Sequence, residues 1–78
     1  MNNEAQDLAY RKYIGAKIAA RRHKLGEKET TVANAVGLTQ SVLSEIENGS
    51  YTSLRVTILI RLAKYLQLPY NDILPPPE

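Results

Sequence analysis

Apolar residues recur along this chain three or four positions apart, and nowhere do they alternate long enough to suggest a strand. Tyr10, Ile14 and Ile18 mark one face of a first helix expected from about Leu8, after a cap at Asp7, to Lys24, with Gly26 as its stop. Val32, Ala33 and Val36 mark a second helix, Glu29 to Val36. Only Gly37-Leu38-Thr39 separates it from a third, Gln40 to Asn48, for which Thr39 is a suitable N-cap and Gly49 a terminator. In this third helix Val42, Leu43 and Ile46 fall together, while Gln40, Ser41, Ser44, Glu45 and Asn48 occupy the opposite face. Surface helices usually show solvent a mixture of Lys and Glu, so this collection of short hydrogen-bonding side chains needs a reason.

After a polar loop, Ser50 to Ser53, the segment "LRVTILIRLAKYLQL" is the most apolar of the chain. Val56, Leu59, Leu62, Ala63 and Leu66 make its inward stripe, leaving Leu54, Ile58, Ile60 and Tyr65 as a surplus suited to a shared interface. Pro69 opens a last short turn, "PYNDIL", and "PPPE" stops it. Residues 1–7 read as an N-terminal arm, with disorder one possibility for it, 8–74 as a single folded domain, and 75–78 as a proline-rich tail.

Composition narrows the function classes. At 78 residues, one core only just stabilises a fold, and without Cys neither disulfides nor thiolate metal sites can help. No apolar run approaches the ~18 residues of a membrane helix, so a soluble cytoplasmic protein is expected. Net charge is only +2, yet Arg11, Lys12, Lys17, Arg21, Arg22 and Lys24 follow one another with no acidic residue between them. That run is either a solvated helix face or a patch facing a polyanion. Catalysis is not expected: the single histidine, His23, stands among cations with neither metal co-ligands nor a nucleophile to serve. No metal or cofactor is expected.

The stretches "IGAKIAARR", "TTVANAVGLTQSVLSEIENG" and "LIRLAKYLQL", with the order Ala33, Gly37, Leu38, Thr39, Ser44, Ile46, Glu47, Gly49, resemble the lambda-repressor-like, Cro/C1-type (XRE) helix-turn-helix DNA-binding domains over about Ile14 to Leu74. The resemblance implies an all-α, compact five-helix fold whose third helix enters the DNA major groove. That would explain the polar face. Gln40, Ser41, Ser44 and Glu45 become candidates for reading bases, with Gln40 suited to a bidentate pair with adenine. Glu45 is unusual for the family; it either accepts from a cytosine amino group or points along the helix and weakens non-specific binding. Lys28, Thr39, Asn48, Ser50, Thr52 and Arg55 become candidates for phosphate contact. Arg22 and Glu47 match a structural ion pair that ties the first helix to the third.

The sequence departs from the family at Glu27, Lys28 and Glu29, where a Ser or Thr cap followed by Gln is common. A carboxylate near phosphate is repulsive, so either Lys28 compensates or the helix starts later, at Thr30, and non-specific binding should be weak. The implied partner is double-stranded DNA, bound by a homodimer acting as a repressor or autoregulator. Ile58, Ile60, Tyr65, Leu68, Tyr70 and Leu74 are the expected dimer surface. An antitoxin-like module, with a toxin as its main partner and DNA second, is the alternative; polymerase is a further possible protein partner.

Overall fold

The computed structural model describes residues 4–73, with side chains from Asp7 onward. Four α-helices follow one another: α1, Glu4–Lys24; α2, Glu29–Val36; α3, Gln40–Asn48; and α4, Val56–Leu66. A single 3-10 turn, Tyr70–Asp72, completes the order, and there is no strand among the described residues. The fold class is all-α as expected, but the fifth element is this turn and not an α-helix. Pro69 fixes its entry, and the bonds from Asp72 N–H to Pro69 O and from Ile73 N–H to Tyr70 O span three residues, not four.

The first helix also starts a turn earlier than the expected Asp7 cap, taking Glu4 to Asp7 out of the assigned arm. Glu4, Ala5 and Gln6 are good helix formers, so nothing local stops the helix at Asp7. The proline-rich tail and Leu74 lie outside the described residues.

Ile14 and Ile18 of α1, Val32 and Ala33 of α2, Leu43 and Ile46 of α3, and Leu59, Leu62, Ala63 and Leu66 of α4 form one core. Two expectations for the last helix are corrected. Val56 does not face inward: it is 68% exposed at the first position of α4. Leu54 and Ile58, assigned to the surplus, pack against the core in its place. The backbone is extended at Arg55, just before α4, and Leu54 ahead of it packs against the core. Leu68, expected at the dimer surface, is 9% exposed and belongs to the core.

How α3 is held decides what it can do. Gly15 on α1 lies under the end of α3, where a β-carbon would collide with the carbonyl oxygens of Ile46 and Glu47. At Gly49 a β-carbon would lie 2.9 Å from Lys12 Cα, and its φ of 78° disfavours any larger residue as well. The two helices therefore meet backbone to backbone. Leu43 and Ile46, 0% and 1% exposed, anchor the inner face of α3 from the other direction.

Candidate nucleic-acid interface

Each end of α3 is closed by local chemistry. Thr39 stands in an extended conformation and its Oγ1 accepts a 3.1 Å bond from Val42 N–H, satisfying a donor the helix start leaves free. At the other end the Gly49 N–H bonds to Ile46 O, and the Ser50 N–H to Glu45 O at 2.9 Å. Before the helix, Gly37 at φ 77° turns the chain sharply between α2 and α3. The result is a short helix held at a fixed angle, with Gln40, Ser41, Glu45 and Asn48 exposed and Ser44 half-buried on its outer side.

Gln40 is not simply solvated. Its Nε2 donates to Glu29 Oε1 at 3.2 Å, joining the first residue of α3 to the first residue of α2. The same carboxylate stands 4.0 Å, through Oε2, from Arg22 Nη2. Arg22 in turn donates to Glu47 from Nε at 2.7 Å and from Nη2 at 2.9 Å, and from Nη1 to Glu27 O at 2.9 Å. These bonds connect α3 to α1, α1 to α2, and α2 back to α3. The hydrogen bonds to Glu47 raise the Arg22 pKa above its ordinary value; burial opposes the shift, and the charges of Glu47 and Glu29 add to it. The guanidinium therefore stays charged at any physiological pH.

The phosphate candidates are not gathered in one place. Lys28 is exposed and shares a shallow recess with Arg22, Glu29, Thr30 and Gln40. It is the N-cap of α2 and its side chain makes no capping bond; the helix starts at Glu29 and not later at Thr30. Thr39, Asn48 and Ser50 belong to α3 or its flanks, whereas Arg55 is the N-cap of α4. Thr52 lines a different recess, with Asp7, Tyr10, Arg11, Leu54, Val56 and Leu59.

The basic run of α1 also divides. Arg22 is in the ion pair, Arg21 Nε donates to Leu66 O at 2.8 Å, and Lys17 Nζ sits 5.5 Å from the centre of the Tyr13 ring. Arg11 is half-buried, with Nε lacking a partner. Lys12, exposed, is the cation brought against the closing end of α3, its stem beside Gly49. Sequence reasoning named Lys12 in the basic run but not among the phosphate candidates, though its place one turn before Gly15 was a usable sign. It also treated Glu29 only as a repulsive residue and missed its bond to Gln40.

Among the residues expected at a dimer surface, Ile60, Tyr65 and Tyr70 are exposed, Ile58 is half-buried against the core, and Leu68 is in it. The Tyr65 hydroxyl donates to the Glu27 carboxylate, which raises the Tyr65 pKa above its ordinary value.

A helix pair of this kind, joined by a three-residue turn and with a polar outer face on the second member, defines a class. The helix-turn-helix family model matches residues 18–73, and the chain belongs to that family, in its Cro/C1-type branch. It is 41% identical, over 56 aligned residues, to the ImmF control region 10 kDa protein of Bacillus phage phi105. That alignment takes in 65% of this chain and 62% of the relative, so the chain spans about six-tenths of the relative's length. No solved structure matches significantly. No helix of the described residues is long and apolar enough to cross a membrane.

Proposed function

We propose that this protein represses or autoregulates transcription by binding operator half-sites through α3 as a homodimer. The observation that carries the reading is the division of α3: Leu43 and Ile46 are sealed in the core, while Gln40, Ser41, Glu45 and Asn48 stand exposed on a helix too short and too tightly held to need them for stability. Hydrogen-bonding side chains of both polarities suit the major-groove edges of bases, where one good bidentate contact discriminates by about 1–3 kcal/mol. Phosphate contacts supply most of the affinity. Lys28 and Lys12 flank α3 for that purpose, with hydroxyls at Thr39 and Ser50 and the free backbone N–H groups at the start of α2. The phage relative's description as a control-region protein supports a regulatory locus.

The test is fluorescence anisotropy with duplex DNA from upstream of the protein's own gene and a scrambled duplex of equal length, at two salt concentrations. Preference for the upstream duplex, reduced roughly 5- to 100-fold in Gln40→Ala, is expected. Equal binding to both duplexes that collapses with salt would remove the autoregulatory reading and leave only charge-driven attachment.

A further inference from the structure

The recess between the early turns of α1 and the start of α4 takes no residue from α3, and its volume is about 300 Å³. That is the lower limit for sites that hold small molecules. Its α1 side carries two opposite charges, Asp7 and Arg11, four residues apart and therefore on one face of the helix. Both lie ahead of the segment that matches the family, residues 18–73. The other side is apolar, made by Leu54, Val56 and Leu59. Val56 is 68% exposed there, with nothing of the chain covering it.

Arg11 is the group in need of a partner. Its Nε is buried and has no hydrogen-bond partner among the described residues, although buried polar atoms are nearly always paired. Asp7 does not supply one: it is exposed, and no ion pair joins the two among the described residues. The Tyr10 hydroxyl, in the same recess, already donates to Ile73 O. A guanidinium offers its Nε–H and a neighbouring Nη–H side by side, an edge that matches the two oxygens of a carboxylate. A plain carboxylate would also meet the negative charge of Asp7. An ammonium group next to the carboxylate turns that repulsion into a second contact, and a branched aliphatic side chain covers the apolar wall. We infer that the recess is a binding site for a free aliphatic α-amino acid, with Arg11 holding the carboxylate, Asp7 the ammonium group, and Leu54, Val56 and Leu59 the side chain. Thr52 lines the same recess, so a bound ligand ties α1 to the connection between α3 and α4. The inference does not depend on the operator-reading role of α3.

The experiment is an NMR titration of the whole chain with L-leucine and with three relatives that each lack one feature. Isocaproate lacks the ammonium group, isoamylamine the carboxylate, and glycine the side chain. A ligand of nine heavy atoms with ordinary efficiency binds at about 10 mM. Leucine should therefore shift the amide signals of Thr52, Leu54 and Val56 saturably in that range, and the Arg11 Nε–H signal with them. Each relative should bind at least roughly 10-fold more weakly, the loss of one charged contact. Arg11→Met, which keeps the apolar stem, should lose leucine binding by a similar factor. Asp7→Asn, at an exposed position, should weaken leucine yet strengthen isocaproate, because the repulsion goes while the guanidinium stays. A merely apolar cleft would not show that inversion. The absence of saturable shifts with leucine overturns the inference, and so does an equal response to leucine, isocaproate and isoamylamine. Should Arg11→Met prove unfolded by circular dichroism, Asp7→Asn decides: the same preference for leucine over isocaproate as in the wild type overturns the inference.

Discussion

Arg22 bonds to residues on both sides of it in space, and its removal leaves Glu47 without a counter-charge at a side-chain exposure of 7%. Stranding a largely buried carboxylate costs about 3–5 kcal/mol, a large share of the stability a domain this small can have. Arg22→Met is therefore expected to lower the urea midpoint severely, and Glu47→Leu to do the same by stranding the guanidinium. The double variant should be less damaged than the sum of the two; additive losses would show that the pair is not the unit. Tyr10 makes a second single-residue tie, its hydroxyl donating to Ile73 O at 2.6 Å and holding the final turn against α1. Burial, and to a lesser degree the neighbouring Tyr13, raises its pKa above the ordinary 10.0. A raised value favours the protonated form in the folded state, so the contribution is complete below 10.0 and is lost as pH rises through the folded-state value. Urea stability should accordingly fall on titration from pH about 9 to about 11, near tyrosine's ordinary value. Tyr10→Phe should begin about 0.5–1.5 kcal/mol lower and fall less steeply. Its slope should not vanish, because Tyr65 is shifted the same way by Glu27. An identical slope in the variant would mean that Tyr10 does not carry the effect.

At the scale of elements, the crossing of α1 under α3 sets where the polar face of α3 points, and it depends on Gly15. Gly15→Ala forces a methyl group against the carbonyls of Ile46 and Glu47, backbone atoms that cannot rotate away. Overpacking of this kind costs about 1–3 kcal/mol, and here the only relief is to lift the end of α3. Gly15→Ala should therefore lose DNA affinity even under conditions where circular dichroism shows it folded, whereas Ala16→Gly, on an exposed position beside it, should lose stability alone. Equal DNA binding by folded Gly15→Ala and wild type would exclude this role for the crossing. The limits of α2 and α3 were legible in the sequence because their signals are local: Gly37, Thr39 and Gly49 each end or start a helix by their own backbone or hydroxyl chemistry. The register of α4 was not, because a segment apolar on most sides gives Val56, Leu54 and Ile58 equal claims to the core, and only the path of the preceding loop decides among them. The start of α1 was missed for the opposite reason, a run of helix formers with no stop signal in it. The Glu29–Gln40 bond was out of reach for another: it joins residues 11 apart across a turn, and no periodicity encodes the angle of that turn.

For the whole molecule, the operator reading proposed above is limited by how little DNA one copy could read. Nine helical residues are about 14 Å long, the length of roughly four base pairs at 3.4 Å each, and four base pairs recur far too often to mark an operator. Two copies double the site if their recognition helices lie one turn of DNA, about 34 Å, apart. A domain measuring 39 × 23 × 19 Å fits two abreast at that spacing, so the copies can touch while both reach the groove. The apolar side chains left for that contact are few: Val56 and Ile60, one turn apart on α4, with Tyr65 and Tyr70 beyond them. An interface built from so few groups belongs to the small class, below about 1,200 Å², and should be weak alone but sufficient once DNA holds both partners. Ile60→Glu sets two carboxylates into such a contact while touching nothing in the core, since Ile60 is 40% exposed. Sedimentation should then show a concentration-dependent dimer for the wild type and a monomer for the variant. On a duplex with two half-sites the variant should lose cooperativity and roughly 10- to 100-fold in affinity, equivalent to about 1.4–2.8 kcal/mol. On a duplex with a single half-site the two proteins should bind alike. An equal loss on both duplexes would trace to damage within the domain, and no loss on either would place the dimer contact elsewhere than α4.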